Sequence, residues 1–294
     1  MNVARTPGEL VRRPRAVAIG TFDGVHRGHA SVIAGTGGVG LTPTVVTFHP
    51  HPREAFGYDV ELVSTLERRL ELLEALGVEE TLVVEFTPGI AALSAEAFAE
   101  THVLAIGAER VVAGETFRFG RGRSGDLATF ARLGIETVVA PQVEGVSSSG
   151  IRALVGDGDV RGAASLLGRP VEVDGTVVSG DARGGTLGYP TANLRVDRSL
   201  LVPRFGIYAG AALGHRAAVS IGVNPHYGGD ERRIEAFLLD FDGDLYGRRV
   251  VVELWERLRD EAVFESEADL LAQIARDVQA ARAATRPGSD TVLP

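Results

Sequence analysis

The first half of the chain alternates short apolar runs with longer amphipathic stretches. Residues 16–19, 44–48, 81–86, 110–113 and 135–139 are compact and rich in Val, Ile and Ala, so each reads as a buried strand. Between them, Leu66, Leu70, Leu73 and Leu76 recur at i, i+3 or i+4, which predicts a helix over 64–76 with Gly77 as its stop. A second helix is predicted over 94–104, with Ser94 as N-cap and Ala97, Phe98, Val103 and Leu104 available for packing. The glycine-rich stretch from Gly35 to Gly40 keeps a helix starting near His29 from running past Ala34. Strands alternating with helices predict an α/β fold with a parallel, doubly wound, Rossmann-like sheet.

The period changes near residue 168. A short helix over 159–167 ends at Gly168, and residues 171–178 then alternate apolar with polar. Further short strands are predicted over 209–213, 217–221, 234–240 and 249–254, separated by glycine turns; together they read as a small antiparallel β-barrel. A final helix over 266–284 carries Leu270, Leu271, Ile274 and Val278 on one face, with Ser266 placed to cap it. The expected division is therefore 1–168, 169–286 and a disordered tail over 287–294.

Composition narrows the chemistry. Formal net charge is −9, which gives a general nucleic-acid-binding role little electrostatic support. Cysteine is absent, which excludes disulfides, thiolate catalysis and Cys-based metal sites and suits a reducing cytoplasm. Every basic residue is arginine, so a P-loop lysine or Schiff-base lysine is excluded. No apolar run approaches the roughly 20 residues needed to span a membrane, and no targeting segment is visible.

Four stretches in the first half carry candidate chemistry. The strand over 16–19 runs into Gly20-Thr21-Phe22-Asp23-Gly24-Val25-His26-Arg27-Gly28-His29, a glycine turn entering a helix start, where free N–H groups and the helix dipole suit phosphate. His26 and His29, at i and i+3, share one face and can stabilise charge developing in phosphoryl transfer, although alone they equally describe two surface histidines beside a turn. His49-Pro50-His51-Pro52 forms a rigid exit from the second strand. Gly114 to Gly120 leaves another strand as a loop containing Thr116 and Phe117, and Ser147-Ser148-Ser149-Gly150-Ile151-Arg152 reads as a helix N-terminus with a bidentate phosphate donor in Arg152.

These stretches, in this order over about residues 15–155, resemble the adenylyltransferase module of bacterial FAD synthetases, within the nucleotidyltransferase superfamily. The resemblance implies that Gly20, Thr21, Phe22, Asp23, His26, His29, Ser148, Ser149 and Arg152 bind ATP, with the two histidines catalytic. It places the flavin beside His49, Pro50, His51, Pro52, Gly114, Thr116 and Phe117. Thr116 stands where the family usually has Asp or Asn.

In the second half, the stretch from Gly180 to Asn193 contains a glycine-rich loop and Leu187-Gly188-Tyr189-Pro190-Thr191-Ala192-Asn193. Such a loop can wrap phosphates with its N–H groups, and the hard oxygens of Thr191 and Asn193 suit Mg²⁺; a β-turn before a proline-anchored loop is the alternative. Pro190-Thr191-Ala192-Asn193 resembles the signature of riboflavin kinases, and the blocks 220–225, 234–241, 244–247 and 258–261 follow in that family's order. Gly185 and His226-Tyr227 depart from its usual residues. By this resemblance Gly180, Gly184, Gly188, Thr191 and Asn193 bind ATP, Thr191 and Asn193 hold Mg²⁺, Glu235 is the catalytic base, and Glu235 and Arg259 face the flavin.

The whole chain is thus identified as a member of the bifunctional riboflavin kinase/FMN adenylyltransferase family. The implied activity is ATP-dependent phosphorylation of riboflavin to FMN, then adenylylation of FMN to FAD with release of pyrophosphate. Implied partners are riboflavin, FMN and ATP, without nucleic acid or membrane, in a monomer or weak homo-oligomer. Two other readings stay open: a riboflavin kinase whose first half has degenerated into a scaffold, and a non-catalytic flavin-binding or regulatory protein. A pantetheine- or nicotinamide-type adenylyltransferase would account for the histidines and leave the second half unexplained.

Overall fold

A computed structural model describes residues 1–180, 187–223 and 232–288. The chain divides into two compact units, one comprising Met1–Val60 and Leu66–Val146, the other Glu61–Thr65 and the described chain from Ser147.

The first unit is a six-stranded parallel sheet. Its strands are β1 (Asn2–Ala4), β2 (Arg15–Ile19), β3 (Thr42–His49), β4 (Glu80–Glu85), β5 (Ala108–Ala113) and β6 (Glu136–Val139). They lie in the order β1-β4-β3-β2-β5-β6, each pair parallel. Helix α1 spans Arg27–Ala34, α2 Leu66–Ala75, α3 Pro88–Ala92, α4 Ala95–Phe98 and α5 Leu127–Arg132. The chain moves outward from β2 through β3 to β4, then returns to place β5 on the other side of β2. The carboxyl ends of β2 and β5 therefore flank the point where strand order reverses, which is where open α/β sheets form ligand crevices. Val17, Val45, Val46, Leu82, Val83, Val111 and Val112 are fully buried, as strands covered on both faces require. At the end of α1, Gly35 lies where a Cβ would collide with the Val112 side chain, so glycine there permits close helix–sheet approach. Strand β1 carries too little pattern to be expected from sequence.

The second unit begins with helices α6 (Ser148–Asp157) and α7 (Val160–Leu167), followed by a closed barrel. Its strands are β7 (Val171–Val178), β8 (Ala192–Val196), β9 (Gly206–Ala212), β10 (His215–Val223), β11 (Arg232–Leu238) and β12 (Arg249–Arg259). They close in the order β10-β11-β8-β7-β12-β9, antiparallel throughout. Val173, Val219, Ile221, Val252 and Leu254 fill the interior at zero exposure, each contributing roughly 1.5–3 kcal/mol through burial. Helix α8 (Glu267–Ala283) packs on the outside, with Ala281 and Ala284 against Ala209 and Trp255. Arg216 donates to the carbonyls of Ala281 and Ala284 at 3.2 and 2.6 Å, which gives partners to two acceptors at the helix's C-terminal end. Asp277 on α8 accepts Arg259 Nε and Nη2 at 3.0 and 2.7 Å and fixes the helix to β12.

Candidate active sites

The loop after β2 is tightly wound. Phe22 and Val25 adopt positive φ, +51° and +39°, with Gly24 at +77° between them. For a β-branched valine this is a strained conformation, of the kind stored at functional sites at a cost of about 1–3 kcal/mol. Burial holds it in place, since Phe22, Asp23 and Val25 are all within 2% exposure. His26 is the N-cap of α1: its Nδ1 accepts the His29 N–H at 3.2 Å. With Nδ1 an acceptor, the neutral ring carries its proton on Nε2, the nitrogen that can donate to a phosphate oxygen. The His26 and His29 rings stack at 3.6 Å and 12°, and Phe22 meets His29 edge-on at 5.2 Å. A side chain at Gly28 would press on the His26 ring at 3.2 Å, so the glycine makes room for the cap.

Strand β3 ends in His49, which is exposed, and Pro50, His51 and Pro52 follow, partly buried. The His51 N–H donates to Glu54 Oε2 at 2.8 Å, and His51 Nδ1 accepts the Arg53 N–H at 3.2 Å, so the side chains of this turn brace its own backbone. After β5, Phe117 N–H closes a turn onto the Gly114 carbonyl at 3.0 Å, and Thr116 stands exposed at its tip. Sequence reasoning missed what joins these two segments. Phe117 stacks on Phe119, Phe119 meets Phe98, Phe98 meets Phe48, and Phe48 meets Phe86, at centroid distances between 5.4 and 6.0 Å. The clue in sequence was a phenylalanine at the end or edge of each element, unreadable as a cluster without the topology. His102 stacks on Phe98 at 4.8 Å, and burial pulls its pKa below the ordinary 6.5.

Ser147 caps α6 by accepting the Gly150 N–H at 3.1 Å, which leaves Ser148 and Ser149 in the first helical turn. Arg152 Nε donates to the Glu61 carbonyl at 2.7 Å. These residues belong to the second unit, whereas His26 and His29 belong to the first.

On the barrel, β8, β10 and β11 bring a polar group together. Glu235 lies directly across from Asn193 on one side and Ser220 on the other. Because Ile234 and Ala236 point inward and are buried, Glu235 lies on the outer face. Gly180 approaches so closely that a Cβ there would overlap the Asn193 amide. Tyr189, three residues before β8, packs edge-on against Phe237 at 5.3 Å. Thr191 is half-buried immediately before β8, and Gly188 adopts φ +81°. Gly184, Gly185, His226 and Tyr227 lie outside the described residues, as does most of the tail. Arg233, not singled out from sequence, donates Nε and Nη2 to Glu235 Oε1 at 3.0 and 2.6 Å. Arg259 is committed to Asp277, with Phe264 beneath it at 5.9 Å. Among the described residues no group of three or more His, Asp or Glu could hold a metal ion.

Comparison with known proteins matches the two units to two families. Residues 9–150 match the FAD synthetase family and residues 167–285 the riboflavin kinase family. A nucleotidyltransferase sheet followed by a flavokinase barrel defines a two-part flavin-nucleotide transferase. The chain belongs to the bifunctional riboflavin kinase/FMN adenylyltransferase family. Relatives of that description are 36% identical in Listeria monocytogenes, covering 92% of both chains, and 35% identical in Bacillus subtilis, covering 94% of this chain and 95% of the other. The Escherichia coli relative is 37% identical over 96% of this chain and 95% of its own. A crystal structure from Streptococcus pneumoniae, named a macrolide-efflux protein, superposes with TM-score 0.86 at 30% identity, covering 96% of this chain and 99% of that one. Among the described residues of the present chain, no helix is long and apolar enough to cross a membrane.

Proposed function

We propose that the chain makes FMN on its barrel and FAD on its α/β sheet, with Glu235 as the kinase base and His26 and His29 as the adenylyl-transfer donors. The observation that carries the kinase assignment is the register placing Glu235 beside Asn193 on the outer barrel face. Glu235 accepts the proton of riboflavin's terminal ribityl hydroxyl, and that oxygen attacks the γ-phosphorus of ATP while ADP leaves. Arg233 releases Glu235 and is then available to the phosphate oxygens. Gly180 and Gly188 line the nucleotide side.

Thr191 and Asn193 offer neutral oxygens and no carboxylate cage, which fits Mg²⁺ held mainly by phosphate oxygens and water. When bound there, Mg²⁺ would neutralise charge on the transferring phosphoryl group. Arg259, held by Asp277, then borders the flavin as a fixed wall.

In the first unit, the phosphate of FMN attacks the α-phosphorus of ATP and pyrophosphate leaves, so no protein nucleophile is needed. His26 Nε2 and the His29 ring donate to the phosphate oxygens as charge shifts in the transition state. Gly20, Thr21 and Asp23 shape the turn that presents them. The segments at 49–52 and 114–117 hold the isoalloxazine against the phenylalanine cluster. We take residues 1–168 as the adenylyltransferase half and 169–286 as the kinase half, in a reducing cytoplasm, as a monomer or weak homo-oligomer. Paired variants test the reading: His29→Ala abolishes FAD formation from FMN and leaves FMN formation intact, while Glu235→Gln lowers FMN formation at least ~10²-fold and leaves FAD formation from added FMN intact. Parallel loss of both activities in either variant contradicts it.

A further inference from the structure

Helix α2 turns an arginine inward, one turn before the buried Leu73. Arg69 is 1% exposed and among the largest fully buried side chains. A buried guanidinium is costly unless charge and hydrogen bonds compensate it. Its Nη1 donates to the Phe48 carbonyl at 3.3 Å, just ahead of the segment at 49–52. Its Nε is buried without a hydrogen-bond partner. The loop that leads into His26 packs Phe22 and Val25 into one buried cluster with Leu73 of α2, and two carboxylates lie close enough to act on the Arg69 charge. Asp23, 1% exposed, comes from the strained loop that leads into His26; Glu54 is the residue that accepts the His51 N–H. Burial pulls the guanidinium below the usual arginine range, and both carboxylates oppose that pull. If its role were only to fill the core beneath the sheet, a leucine would serve. What a leucine could not do is act on both loops at once.

We infer that Arg69 is a positioning residue for adenylyl transfer. Its one buried guanidinium ties the loop carrying His26 and His29 to the loop carrying His49 and His51, and so sets the nucleotide and flavin sides of the site against each other. Arg69 itself touches neither substrate. The inference rests on reading those two loops as the substrate loops, and that reading is tested separately by His29→Ala.

The test uses the full-length protein carrying Arg69→Met, Arg69→Lys, Asp23→Asn, or Asp23→Asn with Arg69→Met. FAD formation from FMN and ATP is measured at a temperature where circular dichroism shows each variant folded. Misplacing reactants by about an ångström costs on the order of 10²-fold in rate, so Arg69→Met is expected to lower kcat by about that factor. Arg69→Lys keeps a point charge without the planar fork and is expected about 5- to 10-fold below wild type. If Asp23 acts through Arg69, the double variant is no more than about 3-fold worse than Arg69→Met. A folded Arg69→Met with kcat within about 3-fold of wild type overturns the inference, as do losses that multiply in the double variant. Should Arg69→Met fail to fold, Arg69→Lys decides: the 5- to 10-fold loss at an unchanged unfolding midpoint supports the inference, and a wild-type kcat overturns it. If His29→Ala retains FAD formation, the loop assignment fails whatever Arg69 does.

Discussion

The Arg259–Asp277 ion pair is one of the contacts that attach α8 to the barrel, and its replacement has a calculable effect. The Asp277 side chain is 9% exposed and that of Arg259 23%. The carboxylate accepts Arg259 Nε at 3.0 and 3.1 Å, Arg259 Nη2 at 2.7 Å and Gln273 Nε2 at 2.8 Å. Asp277→Asn keeps the shape but replaces one acceptor oxygen with a donor. If the remaining oxygen faces Arg259, the new NH₂ faces the Gln273 amide; if it faces Gln273, the NH₂ faces the guanidinium. At least one charge-assisted bond of about 1.5–3 kcal/mol is lost, reduced somewhat because Arg259 reaches solvent. A destabilisation of about 2 kcal/mol follows. For a unit of this size, at about 4 °C per kcal/mol, the melting midpoint falls by roughly 8 °C. The assay is specific to the barrel, because the chain's single tryptophan, Trp255, sits under Arg216 at 5.2 Å beside the inner end of α8. Unfolding followed by tryptophan fluorescence therefore reports this unit. A shift under about 2 °C refutes the reasoning and makes the pair a solvated surface contact.

Two further predictions concern the core and pH. Gly210→Ala places a methyl on the Glu253 carbonyl oxygen across the β9–β12 ladder and should cost roughly 1–3 kcal/mol, read by the same fluorescence transition; an unchanged midpoint would contradict the tight approach. His102 is held below its ordinary pKa of 6.5 by burial, so the unfolded chain binds its proton more readily than the folded one. Its contribution to stability is present above pH 6.5 and is lost as pH falls through the window below 6.5 toward the depressed folded value. His102→Phe, which keeps the stack on Phe98, should flatten that part of the chemical-denaturation stability profile; identical wild-type and variant slopes would refute the assignment.

Much of this was legible because each unit carries a strong period. The buried strands 16–19 and 44–48 and the helix α8 announced themselves, although α8 buries Asp277 and Ala281 and leaves its Leu270, Leu271, Ile274 and Val278 stripe half-buried, and the signature strings announced the family. What stayed hidden depended on topology. Strand β8 begins within a proline-anchored stretch that reads as loop, yet it is this strand that sets Asn193 beside Glu235. Arg69 looks like any charged residue on an amphipathic helix, and only the folded sheet shows it buried. The phenylalanine cluster draws one ring from each of several elements, so no single window of sequence contains it. Arg259 offered its family position and nothing of its hold on Asp277, eighteen residues away on another element.

The central claim, two consecutive transfers on one chain, is tested most directly by a time course of the purified protein with riboflavin, ATP and Mg²⁺, separating riboflavin, FMN and FAD. The account predicts that FMN appears first, peaks, and is converted to FAD with pyrophosphate. FMN accumulating without FAD would contradict an active first unit and direct attention to Thr116; bound flavin with neither product would contradict catalysis altogether.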